Sequence, residues 1–212
     1  MSNDLQLTTS KILPAETRPA VFTQTGDKNT QIAHANSVNQ VINIFVPGIA
    51  QQPGGTMNAC VSLNLDCYNL FVIGAEDFQG GHFIVPKDRA LTESMADETK
   101  KQFSALNADA IAQIRTFPSL FASENHQYGK TDDTHMSYFG LVTDVRIQDN
   151  GIKVYFYKLS TIPQQKLNQI AFELALGKAA FFNELNRTHW AIKRVNLIEE
   201  LRTAGISVLA PT

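Results

Sequence analysis

Residues 138–159 constrain the fold more than any other stretch. Two runs rich in β-branched and aromatic residues, 138–147 and 152–159, flank Gln148-Asp149-Asn150-Gly151. The Asn150-Gly151 pair supplies the positive φ angles that a tight hairpin turn needs, so the two runs predict an antiparallel pair. A chain that commits to such a pair amid helical patterns is neither a helical bundle nor an all-parallel sheet.

The surrounding pattern fills in the class. The run 70–73 is apolar and reads as a strand entering a core, and 83–85 reads as a second strand, stopped by Pro86. Across 92–114, Met95, Thr99, Phe103, Leu106, Ala110, Ile111 and Ile114 recur at three- and four-residue intervals. That spacing predicts one long helix, or two broken near Asn107, with Thr92 as the cap. Residues 116–137 begin apolar and become a polar loop. Pro163 opens a helix that keeps its period through Leu167, Ile170, Leu174 and Leu176 and stops at Gly177. Trp190, Ile192 and Val195 alternate in a short strand, 197–203 is a helix ended by Gly205, and 206–209 is a last strand. Interspersed strands and helices with one clear antiparallel pair predict an α+β fold, with a curved, mostly antiparallel sheet or half-open barrel and two to three helices. In element order this resembles the PUA-like and EVE families, and that resemblance implies a reader of modified nucleic acid.

The N-terminal quarter is of a different kind. Residues 1–23 carry Pro14 and Pro19 and no sustained period, so they read as an irregular lead-in. Residues 24–46 set Ile32, Val38, Val41, Ile42 and Ile44 among Asn, Gln, Ser and His, and predict strand-like pieces near 29–35 and 38–46. Two Pro and three Gly in 47–58 mark a linker, and the globular domain follows as 59–212. Identical strands stacked in register would ladder Asn29, Gln31, Asn36, Asn39, Gln40 and Asn43, with Ile32 in a dry seam between sheets. A single chain cannot complete such ladders. The same residues are compatible with a closed oligomer or with an edge hairpin folded on its own domain.

Gly26-Asp27-Lys28-Asn29-Thr30-Gln31-Ile32-Ala33-His34 resembles the amyloid signalling motifs that bacterial immune proteins carry at their termini. Gln31-Ile32-Ala33 matches the motif's centre, with Ala33 where glycine is more usual. The resemblance covers about 20 residues and implies a self-associating signalling protein in bacterial defence, whose partners are further copies or another protein with a similar motif.

Composition narrows the rest. An apolar fraction of 43% and a charged fraction of 18% predict a packed domain, and thirteen Phe against one Trp predict a Phe-rich core. A formal charge of −2 offers no field for holding a polyanion, which disfavours nucleic acid as a partner. Cys60 and Cys67 lack a second pair for zinc and read as buried thiols. No run of about 18 apolar residues predicts a membrane span, and the first residues lack the pattern of a secretion signal, so the cytoplasm is the expected location.

Candidate chemistry gathers in three places. His82, Asp88 and Arg89 can form an anion-holding corner, or simply a solvated turn. The loop 124–135 holds Glu124, His126, Asp132 and His135, which include the groups needed for acid/base work, though their spacing matches no metal motif. The segment 183–190 offers Arg187 to grip an anion, Trp190 to stack on a ring, and Asn186 and His189 to orient a ligand. The structural alternative puts Trp190 in the core, Asn186 in a turn and Arg187 in an ion pair with Glu184. No phosphate-binding glycine loop, nucleophile elbow or HExxH is present, and neither a metal nor a cofactor is expected. The functional expectation is a non-enzymatic, self-assembling recognition protein. An enzyme acting on a nucleotide or nucleic acid through His126, His135 and His189 is the rival.

Overall fold

The computed structural model describes residues 40–42, 61–177 and 183–209, all within the compact unit Ser37–Thr212. Strand β1 (Gln40–Ile42) pairs antiparallel with β2 (Val61–Leu63), Gln40 standing opposite Leu63. The strands β3 (Tyr68–Val72), β4 (His82–Val85), β5 (Pro118–Ala122), β6 (Met136–Gln148), β7 (Gly151–Pro163) and β8 (His189–Lys193) form a second sheet. Its order is β4-β7-β6-β5-β3-β8, and β3–β5 is its one parallel pair. The described residues also form four short α-helices: α1 (Asp97–Phe103), α2 (Ala108–Ile114), α3 (Gln164–Gln169) and α4 (Leu197–Thr203). The fold is α+β on an open, mostly antiparallel sheet.

The hairpin is present and longer than its pattern, with β6 and β7 pairing from Met136 opposite Pro163 to Gln148 opposite Gly151. Its turn is centred one residue earlier than expected. Asp149 and Asn150 close it without a positive φ at Asn150, while Gly151, already in β7, sits at φ 151°. A Cβ there would lie 2.5 Å from Ile84 Cγ2 and 2.8 Å from the Val85 carbonyl oxygen, so the approach of β4 demands the glycine as much as the turn does.

Both faces of the sheet are covered at β3, β5 and the edge strand β8, which explains why all three are buried at every position. One face packs Phe71, Phe83, Phe121, Phe156 and Trp190 against Phe103, Ala110 and Ile114 of α1 and α2. Ring centroids there lie close, 5.4 Å for Phe71–Phe121 and 4.8 Å for Phe121–Phe156. The opposite face packs Leu70, Val72, Leu120 and Phe139 against Leu167 of α3 and Leu197, Ile198 and Leu201 of α4. Removing one such ring would cost about 3–5 kcal/mol in lost contacts and cavity. The expected Phe-rich core is the first of these faces.

Several local expectations are corrected. Of the two alternatives for 92–114, the structure has the two helices broken near Asn107, and what is corrected is the cap. Asn107 caps α2 by accepting from Ala110 N, but α1 begins after Ala96 without a side-chain cap, and Thr92 instead donates to the Asp88 carbonyl. The apolar beginning of 116–137, to which the pattern assigns no element, is β5. The helix opened by Pro163 ends at Gln169, because the chain then turns to carry Leu174 and Leu176 into the core. Residues 206–209 form no strand: Ile206 N and Gly205 N bond back to Leu201 and Arg202 and close α4. Cys67 is half-buried rather than buried, and burial raises its thiol pKa.

Of the self-association residues, Gln40 falls in β1, whereas Asn29, Gln31, Ile32, Asn36, Asn39 and Asn43 lie outside the described residues. So do the expected 29–35 strand, the 47–58 linker and Cys60. No described helix is long and apolar enough to cross a membrane.

Candidate functional site at one end of the sheet

Strand directions bring the polar loops together. β3 and β5 run parallel and end near Gly74 and Ser123, while β6 begins just after His135, β7 ends at Pro163 and β8 begins at His189. All five termini share one end of the sheet. Residues 123–135 and 183–188, separated by some sixty positions in sequence, meet there.

The contact is made by hydrogen bonds rather than by apolar packing. Glu124 Oε1 accepts from Thr188 N and from the Thr188 hydroxyl, both at 2.6 Å, and that hydroxyl in turn accepts from Gly74 N at 2.7 Å. A Cβ at Gly74 would stand 3.1 Å from Thr188 Oγ1 and 3.2 Å from Glu124 Oε1, so the glycine lets β3 approach this pair. Asn186 clamps the loop from the other side, accepting from Gly129 N at 2.8 Å and donating to the Gln127 carbonyl at 2.8 Å.

Beneath them lies a cluster of carboxamides. Asn125 Nδ2 donates to Asn168 Oδ1 at 2.9 Å, Asn125 Oδ1 accepts from Gln164 Nε2 at 2.9 Å, and Asn183 Nδ2 donates to Asn168 Oδ1 at 2.7 Å. Each amide carries two donors and an acceptor, so such groups can bond to one another without net charge. Gln164 is fully buried, and its Oε1 has no hydrogen-bond partner among the described residues.

On the exposed side, His126 and His135 pack edge to face with centroids 4.4 Å apart. His126 Nδ1 lies 2.7 Å from Asp132 Oδ2, and His135 Nε2 lies 2.9 Å from Ser123 Oγ. Hydrogen bonds from the Thr134 hydroxyl, foremost, and from His126 lower the Asp132 carboxyl to about 2. Burial, then the charge of His126, lowers the His135 pKa. His135 is therefore a neutral imidazole at neutral pH, able to accept a hydrogen bond from the Ser123 hydroxyl.

The structure divides the sequence-based candidates. Glu124, His126, Asp132, His135 and Asn186 come together. Arg187 turns away to Glu93, 3.3 Å distant, rather than to Glu184. Trp190 is corrected as a ligand-stacking residue: it is fully buried, and Phe71 stacks on its ring with centroids 5.0 Å apart. His189 is corrected as a catalytic candidate, being 2% exposed with Nδ1 2.8 Å from the Arg187 carbonyl and Nε2 3.0 Å from Glu184 Oε2. Of the His82 corner, Arg89 lies 3.7 Å from Asp88 and pairs with Glu93, while His82 packs beside Tyr155.

Sequence reasoning missed Ser123, Gln164, Asn168 and Asn183, which carry no motif. It also missed the ion cluster beside them, in which Lys193 Nζ donates to Glu184 Oε1 and to the Ser94 carbonyl, both at 2.6 Å. A lysine inside a strand buried at every position was the signal, because a buried ammonium requires a carboxylate. No three of the described His, Cys, Asp and Glu side chains converge as metal ligands. No protein-family model matches this chain, and no curated protein or solved structure matches it.

Proposed function

We propose that this chain is a self-assembling recognition protein: residues 24–46 join copies through β-ladders, and the sheet-end site binds a polar ligand or partner. The observation that carries the recognition half is the convergence of 123–135, 164–168 and 183–188. Their linked amides, of which Gln164 and Asn183 are buried, hold the loop, and His126 and Asp132 are left facing solvent, with 57% and 50% of their side chains exposed. A loop held this way is preorganised, which lowers the entropy lost when a ligand binds. The assembly half rests on the Asn/Gln pattern of 24–46 and its resemblance to bacterial amyloid signalling motifs, which makes defence signalling the proposed setting.

Deleting residues 1–50 and measuring mass by sedimentation tests the assembly. The full chain should form large species and the truncated chain should not; equal masses would overturn the reading. Gln31→Pro combined with Ile32→Lys should have the same effect as the deletion, since Pro cannot donate to a ladder and Lys brings charge into the seam.

One observation favours a second reading, in which the site is an enzyme acting on a nucleotide or nucleic acid. The Ser123–His135 hydrogen bond pairs a hydroxyl with a neutral base, the first requirement of an activated nucleophile. Cleavage of bis(p-nitrophenyl) phosphate that disappears in both Ser123→Ala and His135→Gln would establish it. Absence of cleavage by the full chain would leave recognition as the reading.

A further inference from the structure

Beside the Glu184–Lys193 ion pair, the turn at 94–96, the turn at 172–177 and the end of β8 border an open groove of about 530 Å³. Its size falls in the range of small-molecule sites. Met95, Phe172, Ala175 and Ile192 give it apolar walls. Phe172 is 76% exposed, more than any other large apolar side chain among the described residues. An exposed aromatic ring beside further apolar surface offers an apolar occupant a contact.

The charges around the groove fall into two groups. Lys193 and Glu184 line it, but each is already committed: the ammonium lies between Glu184 Oε1 and the Ser94 carbonyl, and the second Glu184 oxygen faces His189. Arg194 also lines the groove, is exposed, and has no carboxylate partner among the described residues. One guanidinium therefore remains to meet an anion. The walls are also held in place at some strain, Ser94 and Ala175 taking left-handed φ angles of 60° and 54°. Such conformations persist only where the surrounding structure imposes them.

We propose that this groove binds a small amphipathic anion, whose apolar body lies on Phe172, Met95 and Ile192 and whose carboxylate pairs with Arg194. The occupant needs both parts. A purely apolar molecule would leave the guanidinium unmatched, and a small hydrophilic anion would leave the Phe172 ring in water. This site goes beyond the recognition of a polar ligand at the sheet end and shares none of its exposed groups.

Decanoate is the probe, and decanol is its uncharged counterpart. Decanoate titrated into the full chain labelled with [methyl-13C]methionine should shift the Met95 methyl signal saturably and leave Met136, on β6, in place. Met95→Leu assigns the signal. Phe172→Asp alters an exposed side chain and should weaken decanoate by about tenfold, the equivalent of losing one apolar contact. Arg194→Gln should weaken decanoate by about fivefold while leaving decanol unchanged, the signature of a single charge-assisted contact. Absence of a saturable Met95 shift would overturn the site, and an Arg194→Gln variant that binds decanoate as the native chain does would overturn its anionic character. If decanoate leaves Met95 unmoved while Phe172→Asp reduces the mass of the protein in solution, a second copy occupies the groove and the proposal falls.

Discussion

The amides around Asn125 and the ions around Glu184 draw on the same short segment, residues 183–189, yet they hold it by different physics. Asn183 and Asn186 enter a network of neutral carboxamides that is partly open to water. Glu184 and His189 enter a charged cluster in which His189 and Lys193 are 2% and 6% exposed. Neutral amides lose modest solvation on burial and recover it from one another. A buried ammonium loses far more, and only a well-placed carboxylate offsets it. Burial accordingly lowers the Lys193 pKa even with Glu184 beside it. The amide side can thus afford an exposed rim for binding, whereas the ion side is a fixed strut.

The strongest way to break this comparison is to remove its central carboxylate. Glu184→Ala leaves Lys193 buried without its anion and takes an acceptor from His189, and should destabilise the domain by about 3–5 kcal/mol in urea unfolding. Glu184→Leu combined with Lys193→Met should lose less than Glu184→Ala, because no unpaired charge stays behind. A double variant as unstable as the single one would show that the cluster is held by packing and not by charge.

Asn125 is the corresponding centre of the amide side. Asn125→Ala strands Gln164 Nε2, which keeps the Ser123 carbonyl as its other acceptor, and Asn168, which keeps Gln165. With these fallbacks the expected loss is about 1–3 kcal/mol, smaller than at Glu184. Loosening should appear first in amide exchange of residues 124–135, whereas Glu184→Ala should loosen β8. A change of equal size and spread in both variants would erase the distinction between rim and strut.

The same contrast runs through what could be read from the sequence. The hairpin, the break near Asn107 and the helix at 197–203 were legible because each is set by local pattern and a turn or cap residue. β5 was not: it is covered on both faces, so Pro118–Ala122 shows no alternation, and its parallel partner β3 lies about fifty residues away. The two polar segments stood out by composition, but their meeting depends on strand order, which no local pattern encodes. Trp190 shows the converse error. Its chemistry suits a ligand, while its register opposite Phe71 places it in the core.

The smallest effect sharpens the comparison most, because it concerns the exposed rim alone. Burial and the neighbouring His126 hold the His135 pKa below its ordinary 6.5. Just below pH 6.5 the folded state therefore binds fewer protons than the unfolded chain, and stability falls as pH drops through that window until His135 is charged in both. Asp132 titrates separately: its carboxyl at about 2 lies below the ordinary 3.8, so its contribution is complete above 3.8 and is lost as pH falls through about 2. Acid should loosen the loop in two separated steps, His135 first. His126→Gln removes the like charge but not the burial, so the His135 ring signal in NMR should titrate at a higher pH than in the native chain, and still below 6.5. Because burial is the larger cause, the rise should be the lesser part of the displacement. An unmoved midpoint would show that the two imidazoles do not interact in solution, and the rim would then present two independent histidines to its ligand.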